Sequence, residues 1–136
     1  MSIHAQIKWT DGMQFIARAR KGPAVLIDSR DGGTGTSPME MVLMGVAGCT
    51  AMDVISIMRK KRVQINDFHV NITGEYAEKH PKRYTDIRIE YVFRGKDIKP
   101  KAVEHAIKLS ETKYCSAMAS LNANFAHFYR ILGADE

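Results

Sequence analysis

The chain has 136 residues, a formal net charge of +5 and an isoelectric point near 9.3, with 45% hydrophobic and 26% charged residues. This length fits one domain, and the apolar share is ordinary for a globular protein, which excludes a mainly disordered chain. The basic balance favours acidic partners only in a general way, and without a helix-turn-helix, zinc-finger or RNA-binding motif we expect no nucleic-acid partner.

The same composition argues against a membrane or secreted protein. No apolar run approaches the roughly 18 uncharged residues of a membrane helix, and the N-terminus lacks the basic and apolar regions of a secretory signal. We therefore expect a cytoplasmic protein with no membrane partner. Because that compartment is reducing, a permanent disulfide between Cys49 and Cys115 is a poor candidate, while catalysis and simple burial stay open for both cysteines.

The first third of the chain predicts a three-stranded meander. Apolar residues alternate with polar ones over residues 3–9, which indicates a half-buried strand. The return strand, residues 13–20, carries Arg18 and Arg20 on one face, and residues 24–28 form the third strand. Turns are predicted at Asp11-Gly12, the strongest short hairpin signal, and at Lys21-Gly22-Pro23.

A long central helix is predicted from Ser37-Pro38-Met39-Glu40 to about residue 62. Serine at the N-cap, proline at the first position and glutamate at the third form a capping box. Residues 41–52 carry no charge, so this helix must be buried on every side. At about 36 Å it is too long for one small sheet to surround. We therefore predict an obligate homodimer in which two copies of the helix pack through small residues, which are Gly45, Ala47, Gly48, Cys49 and Ala51.

The remaining elements complete an α+β domain. Residues 67–78 and 84–93 predict a second β-hairpin, and residues 99–110 predict an amphipathic helix. A short second helix begins close to Cys115, and residues 124–132 form a final strand. The order βββ-α-ββ-αα-β indicates an α+β fold with a single domain over residues 1–136.

The two cysteines are the candidate catalytic residues, although their separation of 66 positions matches neither a CxxC motif nor a zinc site. Helix N-terminal amides near Cys115 would stabilise a thiolate. Cys49 lies in mid-helix and needs an external cation, for which Arg18 and Arg20 are the candidates. A solvent-facing strand edge explains these two arginines equally well, and a buried structural cysteine is the alternative for each thiol.

Two acidic residues accompany the central helix. Asp53 follows Cys49 by one turn on the same face, where it would repel a thiolate, act as a base or pair with an arginine. Glu40 precedes Cys49 by nine positions and lies on the opposite side, so the two can meet only across a dimer. A plain capping role also explains Glu40 fully. The five histidines lack the close spacing of a metal site, so we expect no metal and no bound cofactor.

The segments SPMEMVLMGVAGCTAMDV (residues 37–54) and KYCS (residues 113–116) resemble the OsmC/Ohr family, in its YhfA-like branch. The element order matches over essentially the whole chain. The resemblance implies an OsmC-like fold, an intertwined homodimer and a peroxiredoxin-like hydroperoxide reductase in oxidative-stress defence.

The resemblance also implies roles for single residues. Cys49 attacks the peroxide as a thiolate, and Cys115 closes a disulfide that an external dithiol then reduces. Arg18 or Arg20 would hold the thiolate, and Glu40, one position after the family glutamate, would orient the arginine. An apolar lining would favour organic hydroperoxides, through Phe15, Met41, Met44 and Met52. The alternative is a catalytically weak or inert member that binds a small apolar ligand or senses redox state.

Overall fold

The computed structural model describes residues 1–20 and 22–135, which form two compact units, Met1–Val42 and Leu43–Glu136. The mixed α+β order predicted from the sequence is confirmed. Its elements are β1 (Gln6–Asp11), β2 (Gln14–Arg18), β3 (Val25–Ile27), α1 (Pro38–Lys60), β4 (Asp67–Tyr76), β5 (Tyr84–Arg94), α2 (Pro100–Leu109), α3 (Ser116–Ala119) and β6 (Asn124–Leu132).

The first unit contains the predicted meander, an antiparallel sheet in the order β1-β2-β3. Gly12 adopts a φ of 54°, which suits the tight turn between β1 and β2. The expectation of a half-buried first strand is wrong, because β1 is an edge strand whose residues are all exposed, including Trp9 at 62%. The turn predicted at Lys21-Gly22-Pro23 includes Lys21, which lies outside the described residues.

The capping box that opens α1 is confirmed. The Ser37 backbone N–H donates to Glu40 Oε1 at 3.0 Å, and the Glu40 backbone N–H donates to Ser37 Oγ at 3.2 Å. Each bond satisfies an amide that the helix itself leaves without a partner. The helix ends at Lys60, two residues before the predicted end.

One face of α1 is buried, and the opposite face is exposed. Val46, Thr50, Val54 and Met58 are buried, whereas Met52 is 73% exposed. The sequence predicted that this helix is buried on every side. A single chain does not achieve this, because one face of α1 stays exposed.

By length and composition alone, α1 is also apolar enough to cross a membrane. Its best 18-residue window has a mean hydropathy of 1.8, and 22% of that window is buried. The uncharged run within α1 ends before Asp53, so the sequence did not predict a membrane span. Core helices of other proteins pass it as well, so the finding is weak evidence for a membrane span.

The second unit is built on a three-stranded sheet in the order β4-β5-β6. β4 and β5 form the predicted antiparallel hairpin, and β6 pairs with β5 in parallel. β5 is therefore central, and its inward residues are fully buried together with one face of α2. These buried side chains are Ile87, Ile89, Tyr91, Phe93, Val103, Ala106 and Ile107, and burial of a large apolar side chain contributes about 1.5–3 kcal/mol.

A π-helical turn, Ser110–Tyr114, joins α2 to Cys115 and was not predicted. It closes with a hydrogen bond from the Cys115 backbone N–H to the Ser110 carbonyl oxygen at 2.7 Å. Because α3 then begins at Ser116, Cys115 occupies the N-cap position of a short helix, close to the predicted start.

Candidate active site

Cys49, Asp53 and Cys115 form one cluster in the second unit. Their Sγ and carboxylate oxygen atoms all lie within 4.8 Å of one another. Cys49 and Asp53 are one turn apart on α1, so they share a face, while the π-helical turn delivers Cys115 from a distant part of the sequence. Both thiols are free, Cys49 half-buried and Cys115 buried.

The two thiols differ in their surroundings. Burial, which is the larger cause, and the adjacent Cys49 together raise the pKa of the Cys115 thiol to about 11. The backbone N–H groups of Ala117 and Met118 act in the opposite direction, as expected at a helix start. Burial outweighs them, so Cys115 is held as a thiol near neutral pH.

We expect this raised pKa to appear in the pH dependence of Cys115 alkylation. In the folded chain, the iodoacetamide rate at Cys115 should keep rising about tenfold per pH unit beyond pH 10, because the thiolate is the nucleophile. In urea the rate should level off once the pH passes 9.0, the ordinary pKa of a cysteine thiol. Peptide-resolved mass spectrometry measures both, and a folded-state plateau below pH 9 would contradict the assignment.

A chain of buried hydroxyl groups leads away from Asp53. Ser110 Oγ donates to Asp53 Oδ2 at 2.9 Å and lies 2.7 Å from Thr50 Oγ1, which lies 2.8 Å from the Tyr91 hydroxyl. The Tyr91 hydroxyl is also 3.0 Å from Glu111 Oε2. Sequence reasoning missed Ser110, Thr50, Tyr91 and Glu111, and the only signal was Thr50, a polar residue within an apolar helix.

A cavity of about 380 Å³ opens beside the cluster. Asp53 lies on its wall, and Tyr114, the neighbour of Cys115, lines it together with Ile57 and Leu109. None of the predicted methionines lines this cavity, and Met44 and Met52 lie instead on the exposed face of α1. Lys60 and Lys61 form its cationic side, and His105 also lines it.

The three other predicted site residues belong to the first unit. Arg18 is the last residue of β2 and is exposed. The prediction that Arg20 shares this strand is wrong, because the ladder with β3 reaches only Ala17 and Arg20 has a φ of 95°. Glu40 is held by Ser37, whose backbone N–H lowers the pKa of the Glu40 carboxyl below its usual value.

Only one group of side chains in residues 1–20 and 22–135 has the donors and spacing to hold a metal ion, and it is the same Cys49, Asp53 and Cys115 cluster. Two thiolates and one carboxylate are suitable ligands for a soft divalent cation. The same closeness of two sulfur atoms equally suits disulfide chemistry.

Comparison with known proteins identifies the family. A family model described as OsmC-like protein matches residues 31–127. Protein YhfA of Escherichia coli K12 is 38% identical over 134 residues, which cover 97% of this chain and 100% of YhfA. This chain belongs to the OsmC-like family.

Solved structures confirm the OsmC-like fold. A hypothetical protein from Aquifex aeolicus VF5 has a TM-score of 0.89 at 30% identity, covering 98% of both chains. An organic hydroperoxide resistance protein OsmC from Legionella pneumophila has a TM-score of 0.69 at 12% identity, covering 95% of this chain and 96% of the other. The second likeness shows the fold alone.

Proposed function

We propose that this OsmC-like protein is a thiol-dependent hydroperoxide reductase that acts on organic hydroperoxides in the cytoplasm. One observation carries the proposal. The sulfur atoms of Cys49 and Cys115, separated by 66 positions in sequence, lie within 4.8 Å of each other. Two free thiols this close can pass from dithiol to disulfide with little movement of the backbone.

Cys49 is the peroxidatic residue in this mechanism. Its thiolate attacks the terminal peroxide oxygen, an S–O bond forms, the O–O bond breaks, and the departing alkoxide takes a proton to become an alcohol. Cys49 then carries a sulfenic acid. Its partial exposure favours this role, because peroxide must reach the attacking sulfur, whereas Cys115 is buried.

Cys115 resolves the sulfenic acid. Its sulfur attacks Cys49 Sγ, an S–S bond forms, and the hydroxyl leaves as water with the thiol proton. The Ala117 and Met118 amides stabilise the thiolate that this attack requires. An external dithiol then reduces the disulfide by two exchange steps, so no bound cofactor is needed.

The remaining parts of the site belong to a homodimer in this proposal. Arg18 or Arg20 supplies the cation that holds the Cys49 thiolate, and Glu40 of one copy orients the arginine for the other. The exposed face of α1 supports the dimer. Gly45 and Gly48 have no atom within 4 Å of an added Cβ, so the packing of their own chain does not require them to be small.

The proposal predicts a preference for organic peroxides. With a dithiol reductant, the wild-type protein should turn over cumene hydroperoxide faster than hydrogen peroxide, because apolar residues Ile57, Leu109 and Tyr114 line the adjacent cavity. Steady-state peroxide consumption measures both rates. Faster reduction of hydrogen peroxide would contradict the substrate class, and no turnover of either peroxide would contradict the function.

A ligand-binding role is the second candidate, and the same cavity favours it. Its apolar wall and its cationic side would suit a small amphiphile with an acidic group. If the thiols stay reduced in excess cumene hydroperoxide, this second function replaces the first.

A further inference from the structure

Asp53 belongs to the dithiol cluster, but the proposed peroxidase reaction gives it no part. One of its carboxylate oxygens and the sulfur atoms of Cys49 and Cys115 all lie within 4.8 Å of one another. Disulfide chemistry needs only the two sulfur atoms. A carboxylate beside two sulfurs is instead what a divalent cation requires, because the metal balances the negative charge of all three ligands.

The spacing of these three ligand atoms suits a tetrahedral metal ion. With bonds of about 2.3 Å to sulfur and about 2.1 Å to oxygen, the ligand atoms of tetrahedral zinc lie roughly 3.6–3.8 Å apart. The observed spacing, within 4.8 Å, therefore requires only small side-chain movements. Cys49 and Asp53 are fixed on α1, and Cys115 is fixed by the hydrogen bond that closes the π-helical turn.

A buried hydroxyl group holds the carboxylate of Asp53 in place. Ser110 Oγ donates to Asp53 Oδ2 at 2.9 Å and lies 2.7 Å from Thr50 Oγ1, and both hydroxyl-bearing residues are fully buried. Carboxylates that bind metals are commonly oriented by such hydrogen bonds. Two carboxylate oxygens offer about four lone-pair sites, so Asp53 can accept this bond and bind a metal at the same time.

The adjacent cavity gives a cation a route to the cluster. Asp53 lies on its wall, and Cys49 is only half-buried. Zinc sites with three protein ligands keep a water molecule as the fourth, and the cavity has room for it. Lys60 and Lys61 also line the cavity, but they are exposed, so solvent and salt screen their repulsion of a cation.

We propose that Cys49, Asp53 and Cys115 form a binding site for Zn²⁺, with water as the fourth ligand. Both thiols release their protons to solvent when the metal binds, and the oxidation state of zinc does not change. Because a disulfide would use the same two sulfur atoms, metal binding and disulfide formation exclude each other. The reduced protein is therefore the metal-binding form. Protection of the dithiol from peroxide by zinc rests on the proposed function, whereas the binding site does not.

Absorption spectroscopy with Co²⁺, the spectroscopic substitute for zinc, tests the site without any activity measurement. The reduced full-length protein, prepared without metal, should bind one Co²⁺ per chain. The complex should show thiolate-to-cobalt charge-transfer absorption in the near ultraviolet and the visible bands of tetrahedral cobalt. One equivalent of Zn²⁺ should remove both, because zinc has no d-electron preference that opposes a tetrahedral site. A wild-type protein without this spectrum would overturn the proposal.

Three variants assign the ligands. Cys49→Ser and Cys115→Ser should each lose the wild-type charge-transfer band. Asp53→Asn should weaken Co²⁺ binding by at least about tenfold, since loss of a residue that only orients a ligand already costs about 10–100-fold. Asp67→Asn is the matched control, because Asp67 is 63% exposed on β4, and it should bind as the wild type does. Wild-type affinity in a folded Asp53→Asn protein would overturn the site. If this variant does not fold by circular dichroism, a wild-type spectrum in Cys49→Ser would overturn it instead.

Single-turnover oxidation separates the metal site from the proposed function. The assay contains no external dithiol, which would itself bind zinc. Zinc-loaded protein should react with one equivalent of cumene hydroperoxide at a rate lowered in proportion to the zinc-bound fraction, and EDTA should restore the rate. Oxidation of the zinc-loaded protein at the metal-free rate would overturn the exclusion of disulfide formation by zinc. Tetrahedral Co²⁺ binding in a protein whose thiols never react with peroxide would keep the metal site and reject the proposed function.

Discussion

Cys49→Ser is expected to abolish the turnover of cumene hydroperoxide with a dithiol reductant, down to the uncatalysed rate. A serine hydroxyl stays protonated near neutral pH and is a far weaker nucleophile than a thiolate, so the S–O bond does not form. Peroxide consumption measures the loss, and the Cys49→Ser/Cys115→Ser protein gives the blank because the chain has only two cysteines.

Cys115→Ser is the informative comparison, because it keeps the attacking thiol and removes the resolving one. Cys49 should react once and then stay as sulfenic acid, which excess peroxide converts to sulfinic acid. Mass spectrometry of the Cys49 peptide would show two added oxygen atoms. Full turnover in Cys115→Ser would mean that the external dithiol resolves Cys49 directly and that Cys115 has no catalytic part.

Gly45→Leu is expected to convert the proposed homodimer into monomers. Gly45 is exposed on α1, and an added Cβ meets no atom of its own chain within 4 Å. Leucine is also a better helix former than glycine, which is about 0.8–1.0 kcal/mol less favourable than alanine in a helix, so the isolated chain should not be weakened. The bulky side chain would instead prevent close approach of a second α1, and light scattering would report the smaller mass.

Lys101→Leu is the control for this substitution, because it places the same side chain at an exposed position of α2. It should leave the dimer intact. A wild-type protein that is monomeric at micromolar concentration, or a Gly45→Leu protein that remains dimeric, would contradict the packing of two α1 helices.

The local elements were predictable wherever the signal lies in neighbouring residues. The capping box from Ser37 to Glu40 fixed the start of α1, and the final strand was predicted with both of its ends correct. Such signals depend on hydrogen bonds and side-chain spacing within one element. Burial of whole faces was not predictable in this way, because it depends on what packs against the element, as the exposed β1 and the exposed Met52 show.

The candidate site was predictable only in part. Cys49 and Asp53 are one helical turn apart, so the sequence alone predicted that they lie side by side on the same face of α1. The π-helical turn that carries Ser110 and Cys115 to the same place has no clear sequence signal, because π-helical turns are rare and occur mostly as single turns. Arg20 was misplaced for a related reason, since the end of a strand depends on how far its partner pairs with it.

The pairing of Cys49 with Cys115 is measured most directly by a peptide map of the wild-type protein after one equivalent of cumene hydroperoxide, digested without reductant. We expect one intramolecular Cys49–Cys115 disulfide per chain and no free thiol, because the two sulfur atoms lie within 4.8 Å in the reduced protein. Two unreacted thiols, or a disulfide between chains in place of this pair, would contradict it.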